Sequence, residues 1–229
     1  MHTLGSFFLY FKVKWFLFRE GREVRRRFPT FLPFERALNQ TYRFHNPYKI
    51  CREHSKLKGE KCLDAYGETP LPVLARIVHE SGLNSDDLLF ELGCGRGRGA
   101  MFLSHIARCR VIGIDWVPFF INGATEIVTS ILPRLQVVFR CGEMQTADFA
   151  GATAIFLYGT CLSDEMIGAM ISRFETLPPQ TKIITVSYPL SDYSPQFEAF
   201  KQFSATFPWG EGEIFINHKR PFISACRMA

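Results

Sequence analysis

The sequence predicts an α/β fold with a Rossmann-like, mostly parallel sheet that ends in an antiparallel hairpin, preceded by an N-terminal helical extension. Three observations lead to this prediction. From Thr69 onward, short apolar runs alternate with amphipathic segments, and the first run is followed by a glycine-rich loop. The last two strand-like runs leave no room for a helix between them. Alternating strands and helices form parallel sheets with right-handed crossovers, whereas two adjacent strands pair as a hairpin.

The first helix of this pattern has signals at both ends. Thr69 and Pro70 are predicted as its N-cap and first-turn residues, and Gly82 is predicted to end it. Five strands and a hairpin pair follow. The strands are predicted at residues 88–90, 110–115, 135–139, 154–157, 182–187, 203–207 and 213–217, with helices from about residue 98, over 118–132 and over 163–174.

The composition is that of a globular protein, because 47% of the 229 residues are hydrophobic and 21% are charged. A disordered or fibrous chain is thereby excluded. We divide the chain into a basic, aromatic helical extension over residues 1–64 and a regular domain over residues 65–229. The first 60 residues hold 13 of the 27 lysines and arginines but only 5 of the 22 acids. Such an asymmetry indicates contact with a phosphate-bearing surface.

The run from Phe7 to Phe18 is apolar and aromatic, and its 12 residues are too few for a membrane-spanning helix, which needs ~20. A signal peptide is also excluded, because the basic cluster Arg25–Arg27 follows the apolar run instead of preceding it. Two interpretations remain: residues 1–27 form an amphipathic helix on an anionic membrane surface, or the same helix packs on the domain. We expect the membrane contact, and nucleic acid is a less favoured partner.

Seven cysteines without a C-x-x-C pair indicate a reduced, cytoplasmic protein, here one that is peripheral to the inner face of a membrane. Four of the cysteines lie in or beside apolar segments and are expected in the core: Cys94, Cys109, Cys141 and Cys161. Cys51 and His54 form half of a metal-binding pattern, so no metal site is predicted.

The stretch from Glu91 to Gly99 holds the glycines Gly93, Gly95, Gly97 and Gly99 between a buried strand and a helix. In this context a glycine loop indicates cofactor binding, because the backbone must turn sharply and approach the ligand closely. Glu91, at the strand end, can accept hydrogen bonds from the ammonium group of a methionine moiety but would repel a pyrophosphate. Asp115 ends the next strand and can accept hydrogen bonds from both hydroxyls of a ribose.

Two cofactors compete for this loop. The spacing Gly95-x-Gly97-x-x-Ala100, with Asp115 20 residues after Gly95, also matches the dinucleotide fingerprint of NAD-dependent oxidoreductases. Three features favour S-adenosylmethionine instead: Glu91 stands two residues before the first glycine, the pattern ends in a hairpin, and no substrate domain follows in this sequence. We therefore predict an S-adenosylmethionine-dependent methyltransferase. A catalytically degenerate cofactor-binding protein is the third alternative.

A specific resemblance supports this choice. Ala65–Thr69, Ser85–Gly93 and Ile112–Asp115 resemble, in order and spacing, three motifs of the non-SET histone lysine methyltransferases, the disruptor-of-telomeric-silencing family. These motifs are its Y-G-E-T box, its D-L-G-S-G-V-G-Q loop and its G-V-E strand end. The resemblance spans roughly residues 65–220 and implies a class I methyltransferase fold.

The resemblance assigns each part of the cofactor to residues of this sequence. Tyr66 would shape a lid, Glu68 and Thr69 would touch the methionine end, Glu91 and Gly93 would hold the amino-acid moiety, Asp115 the ribose, Glu143 the adenine amino group, and Met144 would pack on the adenine ring.

The acceptor half departs from the family. Leu157-Tyr158-Gly159-Thr160 stands where the family has V-N-N-F, whose asparagines line its lysine channel, and Arg98 replaces a glutamine. Histone or lysine methylation is therefore not inferred, and the acceptor is left as a protein lysine, a lipid or a small molecule. Tyr158, at the carboxyl end of the fourth strand, is predicted to line the acceptor pocket, because ligands bind at that edge of open α/β sheets. Glu68 is the second catalytic candidate, as a group that steers or deprotonates an amine.

Overall fold

The computed structural model describes residues 3–59, 66–131 and 135–220, with side chains from residue 10 onward. Its helices and strands, in chain order, are α1 (Thr3–Arg27), α2 (Leu32–Thr41), α3 (Pro47–Leu57), α4 (Leu71–Ser81), β1 (Leu88–Leu92), α5 (Arg98–Ala107), β2 (Arg110–Asp115), α6 (Pro118–Ile131), β3 (Val137–Cys141), β4 (Ala154–Leu157), α7 (Asp164–Phe174), β5 (Lys182–Val186), β6 (Phe197–Phe207) and β7 (Gly210–Lys219).

The strands form one seven-stranded sheet in the order β3-β2-β1-β4-β5-β7-β6. The first five are parallel, and β7 lies antiparallel between β5 and β6. This arrangement confirms the predicted Rossmann-like sheet with its terminal hairpin. β2 and β3 lie on one side of β1, and the chain then crosses to β4 on its other side, so a crevice opens at the carboxyl ends of β1 and β4.

The outer strand β3 and both hairpin strands differ in extent from the prediction. β3 begins two residues later than expected and continues to Cys141, which pairs with Asp115 at the end of β2. Because β3 is an outer strand, its last residues Arg140 and Cys141 are exposed. A prediction from runs of apolar residues therefore ends the strand too early. The hairpin strands are about twice as long as predicted, and only Pro208 and Trp209 separate them.

The predicted core position of two cysteines is wrong. Cys94 and Cys109 are buried as expected, whereas Cys141 and Cys161 are exposed. Cys141 lies at the end of the outer strand β3, and Cys161 lies in the loop between β4 and α7. Apolar sequence neighbours therefore do not ensure that a cysteine is buried. A cysteine in an edge strand, or in the loop that follows a strand, can still be exposed.

The start of α4 also corrects the prediction. The helix begins at Leu71, one residue later than expected, and Thr69 is not its N-cap. The Leu71 backbone N–H instead donates to the Glu20 carboxylate of α1 at 3.0 Å. A distant carboxylate thus satisfies one of the amides that a local cap would normally satisfy. Gly82 ends the helix in the left-handed conformation, as predicted.

The N-terminal extension shares a hydrophobic core with the sheet domain. Phe31 and Phe34 are fully buried, and Phe31 makes an edge-to-face contact with Phe102 of α5 at 5.0 Å between ring centroids. Val24 of α1 belongs to the same cluster. The predicted boundary at residue 64 lies outside the described residues. Within the described residues, the last part of α1 and α2 pack on the face of the sheet that carries α4, α5 and α6.

Arg98, the first residue of α5, ties this extension to the glycine loop. Its side chain is only 10% exposed. The guanidinium donates to Glu35 at 2.7 and 3.1 Å and to Glu20 at 3.1 Å. Two carboxylates from α1 and α2 therefore surround one buried cation, and the pKa of Arg98 is held above its usual range by these acids against the opposing effect of burial.

Within the described residues, no helix combines the length and apolarity that crossing a bilayer requires. In α1, the basic residues between Tyr10 and Arg27 interrupt every apolar stretch.

The buried pairing of Arg98 should be measurable in stability. We expect Glu20→Gln to lower the free energy of unfolding by about 3 kcal/mol, because it leaves a buried guanidinium partly uncompensated. Glu23→Gln is the matched control on the same helix. Its exposed pair with Arg27 should contribute no more than about 0.5 kcal/mol. Urea unfolding followed by circular dichroism measures both, and similar losses for the two variants would contradict the network.

Candidate active site

A pocket lies at the carboxyl ends of β1 and β4, where the sheet order reverses. Its walls come from the segment before α4, the end of β1, the glycine loop and the end of β4. The lining residues are Gly67, Glu68, Thr69, Glu91, Leu92, Gly93, Cys94, Gly95, Arg98, Gly99, Phe156 and Tyr158. Six predicted site residues are thus brought together, namely Glu68, Thr69, Glu91, Gly93, Gly95 and Tyr158.

The glycine loop needs its glycines for two different reasons. Gly93, Gly95 and Gly97 have φ angles of 73°, 53° and 78°, a left-handed conformation that other residues rarely adopt. Gly97 also points away from the pocket, since a Cβ there would lie 2.6 Å from the Phe139 ring and 2.8 Å from Ala124. Of the three predicted cofactor-binding glycines, Gly97 therefore serves the packing of α5 on its neighbours.

Glu91 is a buried acid with one oxygen left unpaired. Its carboxylate lies in the first turn of α5, where it accepts a hydrogen bond from the Ala100 amide and fills the space that a Cβ at Gly99 would need. Oε2 accepts no hydrogen bond from any residue that the structure describes. Burial, reinforced by the nearby Glu68 and Asp115, raises the pKa of Glu91 to about 8. A cation placed beside Oε2 would relieve both the missing bond and the repulsion.

Asp115 holds the ends of two strands together. Its carboxylate accepts from the Gly95 amide at 2.8 Å and from the Val117 amide at 2.9 Å. Burial raises the pKa of Asp115 to about 6, although these backbone amides act in the opposite direction. Each carboxylate oxygen can accept more than one hydrogen bond. Asp115 therefore orders the loop while keeping acceptor capacity for a ligand.

Glu68 is held by an ion pair that the sequence did not reveal. Arg96 donates to it at 2.5 and 3.0 Å, and the Tyr66 hydroxyl donates at 2.5 Å. Burial opposes ionisation of Glu68, but the hydrogen bonds and charge of Arg96 prevail and lower its pKa to about 2. Glu68 is therefore ionised at neutral pH and is a poor proton acceptor, which argues against its predicted role as a base.

Tyr66 lies over the glycine loop, since a Cβ at Gly95 would be 3.1 Å from its ring. The ring also makes an edge-to-face contact with Tyr48 at 5.0 Å between centroids and a tilted contact with Phe120 at 5.3 Å. Residues of the extension and of α6 thus support a tyrosine that covers the loop, a geometry consistent with the predicted lid.

Arg96 and Arg98 are the site residues whose roles sequence reasoning missed. The signal was present: two arginines flank Gly97 in a loop expected to be buried, so acids from elsewhere had to face them. Arg96 also lies over the ring of Tyr42, at 5.5 Å from its centroid. The identity of the acids could not be read, because Glu20 and Glu35 lie more than 60 residues away in the chain.

Tyr158 forms the wall of the pocket next to the hairpin. Its ring would lie 3.3 Å from a Cβ at Gly67, and its hydroxyl accepts from the Trp209 indole N–H at 2.8 Å. Trp209 lies in the turn between β6 and β7 and stacks on Phe207 at 5.0 Å. The hairpin turn therefore reaches the pocket and adds two aromatic residues that were not among the predicted site residues.

Glu143 and Met144 lie at the same edge of the sheet as the pocket. The neighbouring Gly142 amide donates to the Asp115 carbonyl at 3.0 Å, and the Met144 methyl group would be 3.7 Å from a Cβ at Gly93. Glu143 is exposed. Their predicted contacts with an adenine ring stay predictions, and their position beside Gly93 and Asp115 is consistent with them.

The known proteins to which this chain is similar in sequence are methyltransferases. No family model matches the chain. It is 22% identical over 162 residues to a histone-lysine N-methyltransferase, H3 lysine-79 specific, from Dictyostelium discoideum, and the match covers 64% of this chain. It is 26% identical over 106 residues to a sterol 24-C-methyltransferase from Eremothecium gossypii, covering 45% of this chain. The chain spans only 8% and 28% of the length of these curated relatives.

Among solved structures, an RNA methyltransferase from Salinibacter ruber in complex with S-adenosyl-L-homocysteine superposes with a TM-score of 0.54 at 22% identity. The match covers 68% of this chain and 95% of that one. The fold is therefore that of the class I methyltransferases. The resemblance to the histone lysine methyltransferases drawn from the sequence motifs is confirmed.

The raised pKa of Glu91 has a testable effect on stability. Because the folded-state pKa of about 8 exceeds the ordinary value of 4.5, the folded protein binds more protons than the unfolded chain between these two pH values. Its stability therefore falls as pH rises through this window. We expect Glu91→Gln, which carries no charge, to melt on the order of 5 °C above the parent protein at pH 8, with the difference vanishing near pH 4.5.

Calorimetric melting across that pH range measures the effect. Glu143→Gln, the loss of an exposed acid at the same edge of the sheet, should show no comparable pH-dependent gain. A Glu91→Gln variant that melts at or below the parent protein at pH 8 would contradict the buried, strained carboxylate.

Proposed function

We propose that this chain binds S-adenosylmethionine and transfers its methyl group to an acceptor. The observation that carries the proposal is the unpaired, buried oxygen of Glu91 in a pocket at the switch point of a class I methyltransferase fold. The ligand that such a site accepts best carries positive charge, and S-adenosylmethionine carries an ammonium group and a sulfonium centre. The similarity to two curated methyltransferases supports the same conclusion.

The residues present fit this cofactor. Glu91 would accept from the ammonium group, and the turn at Gly93 would bring backbone groups close to the amino-acid moiety. Asp115 keeps lone pairs for the ribose hydroxyls, and Tyr66 covers the loop. Thr69, buried in the lining, would meet the methionine end, whereas Glu143 and Met144 would meet the adenine.

The same geometry disfavours NAD. In dinucleotide-binding folds, the free amides at the start of the helix after the glycine loop hold the pyrophosphate. Here that first turn is occupied by Glu91, which already accepts from the Ala100 amide. Glu68 and Asp115 add two more carboxylates around the loop. A pyrophosphate would therefore meet carboxyl groups at the point where it needs hydrogen-bond donors.

When bound, the cofactor supplies a methyl group on a sulfur that is ready to leave. The protein must then align the nucleophile and exclude water. Tyr158 is suited to this task, because hydrogen bonds with the Trp209 N–H and the Thr160 side chain hold its hydroxyl in place at the pocket wall. Among the described lining residues, neither carboxylate is suited to accept a proton from the acceptor, since Glu68 is tied to Arg96 and Glu91 would be engaged by the ammonium group of the cofactor. We infer an acceptor whose nucleophilic lone pair is already free when it reaches the pocket.

The proposed location is the cytoplasm. Cys94 and Cys109 are buried free thiols, as expected of a protein that stays in a reducing compartment.

Cofactor binding should release close to one proton at pH 7. The free protein holds Glu91 mostly protonated, because its pKa is about 8, and an ammonium ligand requires the carboxylate form. We expect the binding enthalpy of S-adenosylhomocysteine, which has the same ammonium group and cannot react, to depend on the ionisation enthalpy of the buffer.

Titration calorimetry in phosphate and in Tris buffers tests this expectation. Glu91→Gln should bind at least about tenfold more weakly and lose the buffer dependence, since a charge-assisted hydrogen bond contributes ~1.5–3 kcal/mol. The proposal fails if the parent protein binds NAD tightly and shows no heat with S-adenosylhomocysteine.

Tyr158 should affect methyl transfer more than cofactor affinity. We expect Tyr158→Phe to leave S-adenosylhomocysteine affinity within about twofold and to reduce transfer at least about tenfold, because the hydroxyl would position the acceptor. Transfer of a tritiated methyl group from S-adenosylmethionine into a cell extract gives the readout. Tyr193→Phe, which removes an exposed hydroxyl, is the control. Weaker cofactor binding with unchanged transfer would move Tyr158 to the cofactor side.

A further inference from the structure

Helix α1 has two faces with different surroundings. Val13, Phe16, Glu20 and Val24 recur at three- or four-residue spacing and therefore share one face. Val13 and Phe16 are half-buried, and Glu20 and Val24 are buried. This face lies on the domain, where Glu20 contacts Arg98 and the Leu71 amide. The helix is thus fixed along one side.

The opposite face carries an exposed aromatic row. Phe11, Trp15 and Phe18 are spaced four and three residues apart and are 55%, 62% and 52% exposed. The rings of Trp15 and Phe18 stack at 5.9 Å between centroids, so the row is continuous. Tyr10 and Leu17 beside it are also about half exposed. An apolar row of this size that points away from the core is a feature of interaction surfaces.

Basic residues surround this aromatic row. Arg22 and Arg25 continue it along the helix at the same spacing, and Lys12, Lys14, Arg19 and Arg26 flank it. Between Tyr10 and Arg27 there are seven lysines and arginines and two acids. Both acids are engaged, Glu20 with Arg98 and Glu23 with Arg27. The outward face of α1 is therefore strongly positive.

We propose that the outward face of α1 docks the protein on an anionic lipid bilayer, with the helix axis parallel to the membrane plane. Aromatic side chains in the centre of a helix face enter the headgroup boundary, and lysines and arginines on its flanks reach the lipid phosphates. Nucleic acid fits this face less well, because a phosphate backbone would meet the aromatic row before it met the cations.

The attachment of α1 gives this docking a defined orientation. The residues on its domain side include Glu20, which holds Arg98 in the pocket wall and caps α4. The helix that meets the bilayer is therefore the helix that braces the pocket. The docking proposal does not depend on the methyltransferase activity, and its test uses no cofactor.

Co-sedimentation of the full chain with vesicles tests the proposal. We expect binding to phosphatidylcholine vesicles that contain phosphatidylserine, and much weaker binding to pure phosphatidylcholine. Arg22→Gln with Arg25→Gln should weaken the first by roughly 25-fold, about fivefold per charge, and raised salt should have a similar effect. The triple variant Phe11→Ala, Trp15→Ala, Phe18→Ala should lose the salt-resistant part.

Fluorescence locates the contact within the chain. Trp15 should shift to shorter wavelength on the anionic vesicles and be quenched by brominated lipid. Trp15→Phe keeps a ring in the row, so it should still sediment but lose this signal. Trp209→Phe should keep both the sedimentation with vesicles and the fluorescence shift. Phe200→Ala, which removes an exposed ring from β6, is the matched control for the triple variant, and thermal melting verifies that each variant is folded.

Three results would overturn the proposal. One is sedimentation that the triple variant and the arginine variant leave unchanged. Another is an RNA oligonucleotide that binds the parent protein at a salt concentration at which no vesicles bind. The third is a concentration-dependent dimer, seen by sedimentation equilibrium without lipid, that the triple variant abolishes, since a second copy would then be the occupant of this face.

Discussion

Arg96 and Arg98 bring two guanidinium groups into the protein interior on either side of Gly97. Neither can shed its proton, so each must meet carboxylates that the loop itself does not provide. Glu68 pairs with Arg96, and Glu20 and Glu35 pair with Arg98. These acids belong to three separate segments. The positions of α1, α2 and the segment before α4 therefore follow from the need to neutralise one short loop.

The remaining charge gives the pocket its chemical preference. With Glu68 neutralised by Arg96, Glu91 and Asp115 are carboxylates without a cationic partner among the described residues, and burial raises the pKa of both. These two buried acids therefore give the pocket a preference for a positively charged ligand. The fold places the pocket at the switch point of the sheet, and this charge imbalance favours a positively charged occupant.

The sequence predicted most of the sheet and several residues that line the pocket, because both leave local signals. Buried strands are short apolar runs, and Glu91, the loop glycines and Asp115 have fixed spacing. The outer strand β3 was misplaced because its exposed Arg140 and Cys141 break that apolar signal. The cap of α4 by Glu20 and the contact of Trp209 with Tyr158 were not predictable, since each joins residues about 50 positions apart. Tertiary packing decides which residues meet over that distance, and such contacts leave no periodic pattern in the sequence.

The turn formed by Pro208 and Trp209 contributes to only one of the two sides of the pocket, the side proposed for the acceptor. The proposed cofactor side is built from β1, β2 and their loops, deep in the sheet, where a change would disturb the core. The wall next to the hairpin depends on Tyr158 and on a two-residue connection at the periphery. Connections of this kind tolerate insertion and replacement. For the proposed methyltransferase, acceptor choice would therefore be open to change through a few residues of one surface turn, and this connection is where a protein engineer would begin.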